Sequence, residues 1–151
     1  MKTSNKKSYL KSINSIMATT CVIGLFLTFN ANAQFDNTAS LKSYMKTMSS
    51  KLKTIASQVS NPSKNSENET LSNEFIQTVE QAKNVLPSDI NNLPPTQQVE
   101  RKATYIKMMD QTVQLGKELA LAFHNNDNAA ANVILGKLSQ EKKDGHNEFK
   151  N

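Results

Sequence analysis

Apolar residues recur every three or four positions along four segments of the chain, and this spacing predicts four amphipathic helices. We place them at about residues 39–59, 71–86, 96–123 and from 129 nearly to the end. Alternating steps of four and three are clearest in the first helix, which is the period of bundle packing. Its apolar stripe comprises Leu41, Met45, Met48, Leu52, Ile55 and Val59. The other stripes comprise Leu71, Phe75, Ile76, Val79, Ala82, Val85 and Leu86; Val99, Ala103, Ile106, Met109, Val113, Gly116, Ala120 and Phe123; and Ala131, Ile134, Leu135 and Leu138.

Polar and proline-containing stretches separate the four helices. Residues 60–70, 87–95 and 125–128 read as connecting loops. Asn37 or Thr38 is the residue type that caps a helix start, so either could begin the first helix. Four amphipathic helices joined by short loops predict an all-α, antiparallel up-down-up-down four-helix bundle.

The first 33 residues have the pattern of a secretory signal peptide rather than of a folded element. An apolar stretch over residues 17–29 follows a basic region without acids, and an A-x-A motif ends at Ala33. The basic region contains Lys2, Lys6, Lys7 and Lys11. The alternative is an uncleaved anchor, but the apolar run is short for a membrane span. We therefore expect cleavage after Ala33 and export of a four-helix-bundle domain at 34–151.

Charge and cysteine content narrow the function classes. The chain has 18 basic and 13 acidic residues, a net charge of +5, and loss of the four signal lysines leaves 14 against 13, or +1. This removes the electrostatic case for nucleic acid or an acidic membrane surface as partner. The single cysteine, Cys21, lies in the signal, so we expect no disulfide, iron–sulfur cluster or covalent c-type haem.

Few residues could carry chemistry. The sequence has no nucleophile elbow, no HExxH and no glycine-rich phosphate loop, so an enzyme is the least favoured class. The candidates for metal ligation are His124, His146 and the methionines. In an up-down-up-down bundle, Met45 near the start of the first helix and His146 near the end of the last lie at similar depth, whereas His124 lies at the opposite end.

The last predicted helix loses its apolar stripe around His146. Leu135 and His146 are eleven residues apart, which is ~20° around a helix, so His146 extends the core face. Tyr105, Ile106 and Met109 of the third helix face this position. A flat apolar cofactor would fill the gap at that end of the bundle. The residues alone leave open a plainer interpretation, in which Met45 fills the core and His146 is exposed.

Two stretches of the chain resemble the first and last helices of the cytochrome b562 family, four-helix bundles that hold a non-covalent haem. They are LKSYMKTMSSKLK, beginning at Leu41, and LSQEKKDGHNEFK, beginning at Leu138. The resemblance covers about residues 41–151. It implies the fold that the apolar pattern predicts, with an axial methionine near the start of the first helix and an axial histidine near the end of the last.

The resemblance implies five site residues. Met45 and His146 would be the axial ligands of the haem iron, Lys142 would lie near a propionate, and Tyr105 and Met109 would pack on the haem. Met109 departs from the family pattern, which has an aromatic there, and Lys142 replaces an arginine. Gly145 is a third departure, because the family has a larger residue before the histidine.

The function implied by the resemblance is electron transfer in the periplasm by a haem-binding domain at 34–151 that holds one non-covalent haem b per chain. Its partners would be haem and unknown redox proteins, with no catalytic residues and no stable membrane anchoring. One alternative is a haemless bundle that serves as a binding or chaperone-like module in the periplasm. Another is a bundle that binds copper or another soft metal through Met45, Met48, Met109 and His146.

Overall fold

The computed structural model describes residues 40–149, and within that range it is all-helical with no β-strand. The predicted signal peptide at residues 1–33 lies outside the described residues. Five α-helices and one 3-10 turn follow one another along the chain. They are α1 (Leu41–Gln58), the 3-10 turn (Pro62–Lys64), α2 (Asn65–Ala82), α3 (Ser88–Asn91), α4 (Pro95–His124) and α5 (Asn128–Phe149).

The first helix begins at Leu41, two to three residues later than a cap at Asn37 or Thr38 would place it. Ser40 is its N-cap, and the Ser40 hydroxyl accepts a hydrogen bond from the Ser43 backbone amide at 3.3 Å. The predicted caps Asn37 and Thr38 lie outside the described residues. Within the predicted apolar stripe, Met48 and Ile55 are buried, as the three-and-four spacing requires.

The second helix begins at Asn65, so the prediction of a loop over residues 60–70 is wrong in its second half. These residues are polar, which is why the sequence favoured a loop, yet Asn65 and Asn68 are buried. Asn65 donates 3.0 Å hydrogen bonds to the side-chain oxygens of Asn126 and Asn128. Tertiary hydrogen bonds therefore satisfy a helix start that has no apolar stripe of its own.

The segment before α4 also differs from the predicted loop. It contains the four-residue helix α3, whose Ile90 is 1% exposed and completes the core at this end. Pro95 occupies the first turn of α4, where the missing amide of proline costs no hydrogen bond. Val99 was predicted to lie on the buried stripe of this helix, but it is 73% exposed. The stripe buried in α4 begins at Tyr105 instead.

A tight turn joins α4 to α5, as the polar cluster at 125–128 predicted. Asn126 has a positive φ of 57°, a conformation that asparagine tolerates better than most residues. The Asp127 carboxylate accepts a hydrogen bond from the Ala130 amide at 2.8 Å and so caps α5.

One hydrophobic core joins α1, α2, α4 and α5. Side chains bridge neighbouring helices at its edges: Lys51 of α1 contacts Glu74 of α2 at 2.5 Å, and Lys83 pairs with Asp110 of α4. Within residues 40–149, none of the helices combines the length and the apolar content of a membrane-spanning segment. The buried apolar residues are Met48, Ile55, Val59, Phe75, Val79, Ala82, Ile90, Tyr105, Met109, Val113, Leu119, Ala122, Phe123, Ala131, Ile134 and Leu138.

Candidate functional site

A cavity of about 630 Å³ lies among the start of α1, the end of α5, the middle of α4 and the segment around α3. This volume is within the range of pockets that hold small molecules and cofactors, roughly 300–1,000 Å³. Apolar side chains form most of its wall. They are Leu41, Met45, Met48, Leu52, Phe75, Val85, Leu86, Pro87, Tyr105, Met108, Met109, Leu138 and Phe149.

All five site residues predicted from the sequence line this one cavity. Tyr105 and Met109 are buried in its wall, Met45 is half-buried, and Lys142 and His146 are exposed at its mouth. The structure thus brings together residues 101 positions apart in the sequence, from Met45 to His146.

His124 is not part of this cavity. Its side chain is 67% exposed, and its Nδ1 atom lies 3.3 Å from Glu69 Oε1. The imidazole sits at the last residue of α4, far along the chain from Tyr105 and Met109 on the same helix. Of the two histidines, only His146 borders the cavity.

Tyr105 supports the cavity wall through its hydroxyl as well as its ring. The hydroxyl lies 2.9 Å from the Ala82 carbonyl oxygen and 3.2 Å from that of Val85, so it donates to the end of α2. Ala82 is the last residue of α2, and Val85 lies in the segment that follows it. Burial disfavours the phenolate and raises the pKa of Tyr105 to about 12.

Arg101 anchors the end of α5 beside the cavity, a role that the sequence analysis missed. Its guanidinium lies 4.6 Å from the centre of the Phe149 ring, and it donates hydrogen bonds to both the carboxylate and the backbone carbonyl of Glu148. Asp89 adds an ion pair at 3.6 Å. The Phe149 ring in turn meets the Tyr105 ring edge-on, with centroids 5.5 Å apart. An arginine early in a helix carries no pattern that would reveal these contacts.

Methionines make the cavity wall unusually adaptable. Met45, Met48, Met108 and Met109 all line it, and unbranched thioethers fill irregular space readily. Gly145 lies opposite Met108, and a Cβ atom at this glycine would come 3.9 Å from the Met108 Cε atom, an ordinary contact. The glycine that departs from the family pattern therefore leaves room that a larger side chain could occupy.

Lysines lie at the cavity mouth. Lys42 of α1 and Lys142 of α5 both line it, and the Lys142 ammonium donates to the Ser49 hydroxyl at 3.1 Å. Glu141 is the one acidic residue in the lining among the described residues, and it is half-buried.

The donor set fits a flat apolar macrocycle that carries a metal at its centre and acidic groups at its edge. A thioether and an imidazole can bind iron, the apolar wall can cover the ring, and ammonium groups at the mouth can meet carboxylates. Residues 40–149 contain no cluster of three histidine, cysteine or acidic residues that would hold a bare metal ion.

A protein-family model described as Cytochrome b562 matches residues 40–150. The match spans most of the chain, so the chain belongs to the cytochrome b562 family. This is a family of haem-binding electron-carrier bundles and not of enzymes. No curated protein and no solved structure matches the chain.

Proposed function

We propose that this member of the cytochrome b562 family binds one non-covalent haem b between Met45 and His146 and carries single electrons in the periplasm. One observation carries the proposal. The two candidate axial ligands, the candidate propionate partner Lys142 and the candidate packing residues Tyr105 and Met109 all line the same apolar cavity.

The proposed architecture is an antiparallel up-down-up-down bundle. Between α1 and α2, Lys51 contacts Glu74 and Gln58 contacts Asn68, so numbers that rise along one helix fall along the other. The same inverse relation supports antiparallel pairing of α2 with α4 and of α4 with α5. The contacts concerned are Phe75 with Gly116, Ala82 with Tyr105, Met108 with Gly145 and Arg101 with Glu148.

Met45 and His146 have complementary roles in this proposal. The Met45 thioether is a soft, weak donor, and the His146 imidazole is a stronger nitrogen donor. Bound haem supplies a one-electron iron couple, and Met/His ligation raises its reduction potential. With Met45 and His146 both holding the iron, oxygen and peroxide would find no open position, and electron transfer would be favoured over oxygen chemistry.

The remaining residues orient and cover the cofactor. Lys142 offers a cation to a propionate at the mouth, with the charge of the family's arginine but without its planar fork. Tyr105 and Met109 exclude water from the ring from the α4 side, and Tyr105 is held in place by its hydrogen bonds to the end of α2. His146 is exposed and neither accepts nor donates a hydrogen bond among the described residues. Its ring can therefore turn toward the haem iron at little cost.

We also propose that the protein is exported to the periplasm. The basic, apolar and A-x-A pattern of residues 1–33 supports a signal peptide cleaved after Ala33, which releases residues 34–151. The absence of cysteine from the mature chain is compatible with an oxidising compartment, because no thiol is left to oxidise.

A haemin titration of the purified protein tests the proposal. We expect saturation at one haem per chain and, after reduction with dithionite, a sharp α-band typical of six-coordinate ferrous haem. A spectrum that matches free haemin at every ratio would contradict the proposal and favour the haemless binding module. Tight uptake of copper(I) by a protein that leaves haemin free would favour the soft-metal alternative. The four methionines that line the cavity would be the thioether ligands in that case.

A further inference from the structure

All charged side chains of the first helix are positive. Among residues 41–58 there are four lysines and no aspartate or glutamate. We propose that the cavity mouth between α1 and α5 is the docking surface for an acidic redox-partner protein. The proposal rests on the proposed function, because the partner would exchange one electron with the haem iron through this mouth.

Three of the four lysines of α1 form a stripe along the side of the helix that borders the mouth. Lys42, Lys46, Ser49 and Lys53 follow one another at steps of four, three and four, so they share one helix face. Lys42 and Ser49 line the cavity, and Ser49 accepts the hydrogen bond from Lys142 that bridges α1 to α5. This stripe therefore lies at the edge of the mouth.

The α5 side of the mouth is basic as well. Lys142 lines the cavity, and Lys143 precedes His146 by three residues, which places the two about 60° apart around the helix. Lys46 and Lys143 are both exposed, and neither forms an ion pair with any residue in the range 40–149. We call Lys42, Lys46, Lys53, Lys142 and Lys143 the lysine rim.

The acidic residues of α5 are too few to neutralise the lysine rim. Glu148 pairs with Arg101 of α4, and Asp144 accepts a hydrogen bond from Gln140 of its own helix at 2.9 Å. Glu141 lines the cavity but is half-buried. The five lysines of the rim thus outnumber the two acids of α5, Glu141 and Asp144, that are not paired with Arg101.

Several features favour an acidic protein as the occupant. A rim of one charge sign steers an oppositely charged partner to one face and raises the rate of encounter. An anionic membrane would also attract lysines, but surface helices that bind membranes insert large apolar side chains. The large apolar residues that are strongly exposed among the described residues are Val99, Leu121 and Val133, none of which lines the cavity. A polar rim without apolar anchors fits a short-lived redox encounter.

Charge reversal at two positions of the rim tests the proposal. The variant Lys46→Glu/Lys143→Glu changes two exposed lysines outside the cavity lining, and Lys107→Glu/Lys117→Glu makes the same change in net charge on α4. The probe is an acidic flavodoxin, whose reduced flavin gives one electron to ferric haem iron. We expect the second-order rate constant at low salt to fall about tenfold or more in the rim variant, and its salt dependence to vanish. The α4 variant should stay within about twofold of the parent.

A binding measurement without electron transfer locates the surface. Oxidised flavodoxin added to the ferrous, nitrogen-15-labelled protein should shift amide resonances of α1 and of the end of α5. Equal loss of rate in both variants, or shifts confined to another face, would overturn the proposal. Co-sedimentation with phosphatidylglycerol vesicles, together with no salt-dependent reaction with flavodoxin, would overturn it in favour of a membrane surface. Failure of the proposed function is separately visible, because the parent would then have no haem spectrum.

Discussion

Arg101 is the residue whose contacts most directly hold the cavity end of α5. It meets the Phe149 ring, the Glu148 carboxylate and the Glu148 carbonyl, and Asp89 lies 3.6 Å away. Because α5 carries His146 three residues before Phe149, these contacts restrict where the imidazole can lie. The residue is a positioning residue for the proposed ligand rather than a ligand.

We predict that Arg101→Ala lowers the free energy of unfolding by about 1–2 kcal/mol, since it removes a cation–π contact and a part-exposed ion pair. It should also weaken haem binding while leaving a six-coordinate spectrum at saturation. Arg101→Lys is the matched control: it keeps the charge but not the planar fork, so we expect an intermediate loss. Urea denaturation and haemin titration of the three proteins measure both effects. Unchanged haem affinity in Arg101→Ala would contradict the positioning role.

Tyr105 makes a prediction about pH. Its pKa is raised to about 12 by burial, above the ordinary value of 10. The fold therefore favours the neutral phenol, and its contribution is full below pH 10. That contribution is lost as the pH rises from 10 through 12, because the unfolded chain ionises first.

Denaturation of the parent and of Tyr105→Phe across pH 8–12 measures this contribution. We expect the stability of the parent to fall more steeply above pH 10 than that of the variant. Below pH 10 the variant should be less stable by about 1 kcal/mol, because it lacks the hydroxyl that donates to the Ala82 and Val85 carbonyls. Parallel pH profiles for the two proteins would show that Tyr105 ionises as freely in the folded chain as in the unfolded one.

Among individual residues, the sequence indicated those with distinctive side-chain chemistry. It did not indicate those whose role depends on contacts with distant parts of the chain. Met45 and His146 could be proposed because the chain has two histidines, of which one falls at the same end of the bundle as Met45, and because a resemblance placed them. Arg101 could not, because nothing in its neighbours along the sequence indicates the end of α5. The exposure of Val99 could not be foreseen either, because a period of 3.6 does not say where a helix leaves the core.

At the scale of the elements, Gly116 marks where α4 packs most closely on α2. A Cβ atom at this position would come 2.8 Å from Ile76 Cγ1 and 3.3 Å from Phe75 Cδ1. Gly136 of α5 is the contrast, because nothing lies within 4 Å of its Cβ position. A side chain at position 116 would therefore clash with α2, whereas a side chain at position 136 would meet no other atom.

We predict that Gly116→Ala destabilises the protein by about 1–3 kcal/mol, since overpacking outweighs the helical preference of alanine. Gly136→Ala should stabilise it by up to about 1 kcal/mol, because only the preference acts there. Thermal unfolding of the apo forms compares them directly. A more stable Gly116→Ala protein would mean that α2 and α4 separate without cost at this point.

The long helices were predictable from the sequence, but their exact starts and the short helix α3 were less so. The four long helices followed from apolar spacing, and three of the four starts differ from prediction by one or two residues. The start of α2 differs by six residues, because the burial of Asn65 depends on Asn126 and Asn128, about sixty positions away. The short helix α3 was missed, since a single buried Ile90 gives no periodicity.

At the scale of the whole molecule, the two ends of the helices are held differently. The end with the α4–α5 turn is held by hydrogen bonds among asparagines, and Asn128 also donates to the Val59 carbonyl at 2.6 Å. The other end surrounds the cavity of about 630 Å³. We therefore expect the cavity end to open more readily than the asparagine end when haem is absent.

Haem should stabilise the cavity end selectively. Free haem at 100 times its dissociation constant would add about 2.7 kcal/mol to the free energy of unfolding by mass action. Hydrogen exchange should slow most at the start of α1 and the end of α5, with little change at residues 120–135. Uniform slowing along the chain, or none at the cavity end, would contradict this assignment of the site.

The most direct test of the account is the absorption spectrum of haem-loaded Met45→Ala, His146→Ala and His124→Ala, each ferric and dithionite-reduced, beside the parent. We predict a sharp ferrous α-band in the parent and in His124→Ala, with that band lost or broadened in the other two because one axial ligand is missing. Parent-like spectra from Met45→Ala and His146→Ala would show that haem is held elsewhere and would contradict the central claim.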